Sequence, residues 1–348
     1  MSQQEVFRFV STLLPSWRKT RRRVLSLGAQ GLLVKRRLTL TSLARGMESP
    51  CRVIHRVKRL WRFTNNSAVD PRDATQALTQ QAFRTCAGRR VPVIMDETGV
   101  KDRAMLLGAA VSYRGRALPL GLFAYSPQLI RKSLWALRLG LLAVILQALS
   151  PEQQARLLLI ADRGFAASHF FRKLHAAHIA FVIRVPRKVL LHMRCGKICL
   201  ETLAADLNPG DFHFLKGVAY GPKRARLNLV LSWHHGQPEP WLLATTLRSG
   251  RQAHRYYRLR MRIEELFKDL KGHFGLEACH LEMLVRITRV CLFVLVALWA
   301  LALLVRCPAR WARFITTRGA LSFLSLALEW LDAPPPLRHA LRRGHPSG

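Results

Sequence analysis

The chain has 348 residues, half of them hydrophobic, which allows about two or three domains with a real core and excludes a disordered or fibrous protein. Its 56 Lys and Arg against 20 Asp and Glu give a formal charge of +36, a self-repulsion that calls for a polyanionic partner, with nucleic acid ahead of an anionic membrane surface. The seven cysteines form no CxxC pair and no framework spacing, which argues against a disulfide scaffold and fits reduced thiols in a cytosolic protein; Cys195 and Cys199 lack the partners a zinc site needs. The amino terminus has no basic-then-apolar layout of a signal peptide.

Residues 1–88 read as a basic helical domain. Arg18, Lys19, Arg21, Arg22 and Arg23 form one charge run, and Lys35, Arg36 and Arg37 another. Further on, Thr41 caps a short predicted helix that breaks at Gly46, and a second helix starts at Ser49 with Pro50 in its first turn. That second helix carries Arg52, Arg56, Lys58, Arg59 and Arg62 beside Val53, Val57, Leu60 and Trp61, so it fits either a helix-turn-helix DNA reader or a plain basic bundle.

From Val91 the pattern turns to strands: 91–95 ending at Asp96, then 104–113 and 117–125 around the turn at Arg114 and Gly115. A helix is predicted over 131–149, closed by Ser150 and Pro151. A strand over 156–161, read as fully buried, ends at Asp162, and a helix near 166–177 leads to a strand at 180–185. Three strands followed by alternating helix and strand argue for a mixed α/β sheet. Residues 186–252 break the alternation with short β-like runs and turns, and read as an inserted β-rich subdomain. A helix over about 254–274 comes next, then a buried helix at 284–305 whose apolar run, 290–305, falls short of the roughly 20 residues that span a bilayer. Residues 307–348 read as a C-terminal helical segment and tail.

Two aspartates, Asp96 and Asp162, directly follow apolar strands, where α/β sheets place working residues, although either could simply open a turn or cap a helix. On the helix at 254–274, a turn of about 100° per residue puts Tyr257, Arg260, Glu264, Lys268 and Lys271 in one arc. Leu259, Ile263, Leu266, Phe267, Leu270 and Phe274 fall on an apolar face. A lone acid among cations on the exposed side makes sense if Glu264 binds metal while its neighbours hold phosphates. Three carboxylates in one cleft would repel one another unless divalent cations bind there, and two Mg²⁺ ions suit in-line phosphoryl displacement. The cationic setting fits glycoside hydrolysis poorly.

Tyr257, Arg260, Glu264 and Lys271 reproduce the Tyr-x2-Arg-x3-Glu-x6-Lys signature, and over about residues 90–305 the chain resembles the YREK branch of bacterial DDE insertion-sequence transposases. The resemblance implies a ribonuclease H-like α/β fold, with core parts at 89–185 and 253–306 around the insertion. It implies Asp96, Asp162 and Glu264 as catalytic acids holding two Mg²⁺ ions, or Mn²⁺ in their place. Tyr257, Arg260, Lys268 and Lys271 would contact DNA. The strand begun by Trp241 resembles one that stacks a flipped base, a role that competes with anchoring the insertion. Double-stranded DNA with terminal inverted repeats, target DNA and a homodimer in the synaptic complex are the implied partners, with no membrane and a cytoplasmic, nucleoid-associated location. A decayed DNA-binding relative and a nuclease without strand transfer are the competing readings. Glu97 departs from the Thr or Ser often found after the first aspartate, and either assists metal binding or points away. Arg163 reads as a phosphate ligand or a partner of Asp162, and the histidines as surface or satisfied groups.

Overall fold

The computed structural model describes residues 2–101, 104–128, 134–193 and 196–304. In chain order its elements are α1 (Gln3–Leu13), α2 (Lys19–Lys35), α3 (Leu40–Gly46), α4 (Val53–Asn65), α5 (Pro71–Thr85), β1 (Val91–Val100), β2 (Ala104–Tyr113), β3 (Arg116–Tyr125), α6 (Leu134–Gln147), α7 (Pro151–Arg156), β4 (Leu157–Ala161), α8 (Ser168–Ala176), β5 (Ala180–Arg184), β6 (Leu190–Met193), β7 (Gly196–Cys199), α9 (Leu200–Ala205), β8 (Phe212–Tyr220), β9 (Ala225–Ser232), β10 (Trp241–Thr245), α10 (Gly250–Tyr257), α11 (Met261–Gly272) and α12 (Leu284–Leu304). The mixed α/β expectation holds. The segment expected at 307–348, with Cys307, lies outside the described residues, as do Cys195 and the first residues of the helix expected at 131–149.

Two compact units divide the chain: residues 1–82, 97–148 and 264–348 in the first, 83–96 and 149–263 in the second. In the first unit α12 forms the centre, with Val290, Phe293, Trp299 and Leu301 essentially inaccessible to solvent. Gly28 of α2 lies against the Phe293 ring, where a side chain would not fit, and Trp299 Nε1 donates to the Pro119 carbonyl of β3 at 2.8 Å. Arg289, at the foot of this apolar run, spends its guanidinium on the Val69 and Thr64 carbonyls at 3.0 and 3.1 Å. With 21 residues α12 is longer than its apolar run and long enough to cross a bilayer, yet 83% of its apolar window is buried inside the protein, as befits a core helix.

The helical pair at residues 40–65 differs from expectation in its details. Thr39, not Thr41, caps α3, accepting from the Ser42 amide at 3.1 Å, and α4 begins at Val53 instead of Ser49. The cause is Arg56. Its guanidinium donates to the carbonyls of Cys51, Ala44, Met47 and Ser49, holding 47–52 as a bent, non-helical connection. One of the basic residues of the second helix is therefore a staple of the turn.

In the second unit β1, β4 and β5 run parallel, with Met95 opposite Ala161 and Ala161 opposite Ile183. β10 then pairs antiparallel with β5, followed by β9, β8, β6 and β7. The five residues of β4 are wholly buried, which accounts for their unbroken apolar run. On β5 and α8, Phe181 and Phe171 stack at 5.1 Å, with Tyr220 of β8 edge-on to Phe171. Ser150 with Gln153 forms a capping box at the start of α7, and Pro151 takes its first position.

Candidate active site

Parallel register between β1 and β4 places Asp96 and Asp162 one residue beyond the paired Met95 and Ala161, on neighbouring strands about 4.8 Å apart. β1 does not stop at Asp96, as the sequence suggested, but continues to Val100. Asp162 stands at the cap position of a single 3-10 turn, Arg163–Phe165, yet its side chain makes no capping bond. The capping alternative for this residue fails. Its Oδ1 instead accepts from the Tyr257 hydroxyl at 3.2 Å. The neighbouring aspartate has a cation on it: Arg260 Nη1 reaches Asp96 Oδ2 at 2.9 Å, with both side chains mostly buried.

The helix expected over 254–274 is interrupted. A 3-10 turn at Arg258–Arg260 separates α10 from α11, and Tyr257 is 2% exposed instead of lying on an outward arc. The turn carries Tyr257 inward. Burial, then the charge of Asp162, raises its phenol pKa while Arg260 opposes them, so the hydroxyl keeps its proton and donates to the carboxylate. The apolar stripe is otherwise as expected, with Ile263, Leu266, Phe267, Leu270 and Phe274 buried; Leu259 is only half-buried.

Glu264 sits in the first turn of α11, at the start of the first unit's third segment; the Lys268 pKa is raised by its hydrogen bond to Glu265 and by the Glu265 charge, with Glu264 adding a smaller part. Lys268 is exposed and bridges to Glu265 at 2.7 Å; Lys271 stands 4.0 Å from Glu277. Asp96 and Asp162 are thus brought together with Tyr257 and Arg260. Among the described residues no group of three or more His, Cys, Asp and Glu side chains stands as a metal cluster. The donor chemistry at the two aspartates nonetheless suits a hard divalent cation, which needs one or two carboxylates and fills its remaining positions with water and phosphate.

Glu97 directly follows Asp96 in the chain. In the first unit its two oxygens are gripped by Arg138 at 2.9 and 3.1 Å, and the Arg138 guanidinium lies over the Trp135 ring. Beside them burial, reinforced by Glu97, pushes the Tyr125 phenol up to about 12.

Trp241, first residue of β10, is half-buried within an aromatic group: Tyr257 edge-on at 5.0 Å and His254 tilted at 5.0 Å. His254 and His234 share one proton between their Nε2 atoms, 2.8 Å apart, so His234 is satisfied. Burial, then the charges of His234 and Arg258, brings the His254 pKa down to about 4. The sequence singled out neither His254 nor Glu239. Glu239 Oε1 receives Arg163 at 2.7 Å and Arg184 at 2.6 Å, and Arg187 approaches Oε2 at 4.0 Å. Arg163 thus reaches Glu239, a partner no spacing rule in the sequence would find, since it lies 76 positions away.

Residues 141–300 match the family model of the transposase DDE domain. The match supports a DDE-type transposase. It takes in Asp162 and Glu264 and begins after Asp96. The parallel β1, β4 and β5 and the β2–β3 hairpin are consistent with the ribonuclease H-like fold of such transposases. A transposase domain implies DNA as substrate and an enzyme acting on it. No curated protein matches this chain.

Proposed function

We propose that this protein is a cut-and-paste transposase of the YREK branch, acting on double-stranded DNA with terminal inverted repeats. The reading is carried by one observation: the signature residues Tyr257 and Arg260 bond directly to the two strand-end aspartates, Asp162 and Asp96. In this reading Glu264 joins them as the third acid, and the three hold two Mg²⁺ ions or Mn²⁺. The bound ions supply an activated attacking oxygen and charge stabilisation for an in-line displacement at phosphorus.

The chain's own residues do the rest. Tyr257 donates its hydroxyl hydrogen to Asp162 and fixes the carboxylate's direction. Arg260 neutralises Asp96 in the free protein and turns to phosphate when DNA is present. Lys268 and Lys271 are the outer phosphate contacts, and Trp241 offers its face to a flipped base. Water first opens a phosphodiester bond at the element's end, leaving a 3′-hydroxyl. That hydroxyl attacks the opposite strand, forming a hairpin and releasing the flanking 3′-oxygen. After hairpin opening by water, the same 3′-end attacks target DNA. The helical residues 1–88, with α3 and α4, serve as the end-binding domain, residues 186–252 as the insertion, and a homodimer pairs the two ends in the nucleoid.

The test is incubation with linear DNA bearing the flanking repeats and Mg²⁺, resolved on a denaturing gel. Hairpins and joined strands are expected. Nicks alone would establish the nuclease reading, and binding without any strand breakage would establish the decayed one.

A further inference from the structure

We propose that Arg163, Arg184 and Arg187 form a binding site for one phosphodiester group of a DNA strand, and that the Glu239 carboxylate occupies this site in the free protein. The inference rests on the reading of Asp162 as part of a phosphodiester-cleaving centre. Three guanidinium groups meet one carboxylate here, at 2.7, 2.6 and 4.0 Å, so the spot keeps a surplus of positive charge. A phosphodiester offers the same pair of acceptor oxygens as a carboxylate, and arginine forks recognise either one. As a stabilising device the array is poor, because Arg163 is half exposed and pairs of that kind contribute little. As an anion site it is well placed.

Arg163 directly follows Asp162. Arg184 ends β5, opposite Leu243 of β10, and its charge is felt by Tyr257, the residue bonded to Asp162. A phosphate held by the three arginines therefore belongs to the strand that passes Asp162. Glu239 lies between Pro238 and Pro240, just before β10, and both prolines restrict the backbone that presents it. A third of its side chain is open to solvent, enough for the carboxylate to give way to an incoming phosphate. Glu239 thus acts as an internal competitor that lowers affinity for DNA lacking the contacts needed to displace it.

Fluorescence anisotropy with a labelled DNA duplex, without divalent metal and over a range of NaCl concentrations, tests this. Glu239→Gln is expected to bind about three- to tenfold more tightly, since one negative charge beside the phosphate is removed. The slope of log affinity against log salt should steepen by about one, for one additional phosphate contact. Adding Arg163→Gln to that variant should return affinity to the wild-type level. A folded Glu239→Gln protein with unchanged affinity and slope would overturn the site. Should that variant not unfold cooperatively on heating, Arg163→Gln alone replaces it: about threefold weaker binding upholds the site, and no change overturns it. These readouts need no catalysis. Tighter binding upholds the site even in a protein that cuts no DNA, and cutting without a change in binding overturns it while leaving the acid centre standing.

Discussion

At the scale of single residues, the informative pairings are the ones that spacing could not supply. Asp162 holds a cap position without capping, and its oxygen goes to Tyr257, 95 residues away. Tyr257→Phe keeps the ring against Trp241 but removes the donor. Mg²⁺-dependent nicking by that variant is expected to fall about tenfold, a loss of about 1.4 kcal/mol in transition-state stabilisation, with DNA affinity within twofold of wild type. Single-turnover nicking rates check this, and an unchanged rate would reduce the hydrogen bond to a bystander. His254 makes a second prediction. Its folded pKa of about 4 lies below the ordinary 6.5, so between those values the unfolded chain binds a proton that the folded chain refuses. Stability therefore falls as pH drops through that window, by roughly 1–3 kcal/mol from this group. His254→Gln should lose less Tm between pH 7 and pH 4.5 than the wild type; equal losses would assign the acid sensitivity to other groups. Arg138→Met leaves Glu97 mostly buried without its bidentate partner and is expected to cost about 3–5 kcal/mol in chemical denaturation.

Among the elements, those whose pattern and packing agree could be read directly. β2 at Ala104–Tyr113 and β4 at Leu157–Ala161 emerge close to their expected bounds because apolar runs bounded by turn residues allow little else. Two features were hidden. No Gly or Pro announces the 3-10 turn at Arg258–Arg260, whose effect is to bury the Tyr257 ring; a uniform 100° wheel therefore placed Tyr257 outside. The start of α4 was hidden because Arg56, a surface cation by composition, is bound to four carbonyls. Close helix packing carries its own prediction. A side chain at Gly31 of α2 would overlap the Leu43 carbonyl oxygen of α3, so Gly31→Ala should destabilise the first unit by about 1–3 kcal/mol despite its better helix propensity. A gain in Tm for this variant would show that the two helices part readily.

For the molecule as a whole, the charge of +36 announces a polyanionic partner, and the transposase domain match agrees with it. What composition does not give is how that charge is used. Arg56, Arg138 and Arg289 are committed to carbonyls or a carboxylate inside the protein, whereas Arg163, Arg184 and Arg187 converge on Glu239 near the aspartates. The candidate site was legible in its residue types and chain order, because strand-end acids and a helical signature are local features. Its wiring was not, because Tyr257 to Asp162 and Arg260 to Asp96 are contacts across the fold. The measurement that bears most directly on the account is Mg²⁺-dependent nicking of repeat-bearing DNA by Asp96→Ala, Asp162→Ala and Glu264→Ala, run beside binding to the same DNA. All three are expected to bind at wild-type strength or slightly more tightly and to leave the strands intact. Persistent Mg²⁺-dependent nicking by any one of them would contradict the three-acid centre.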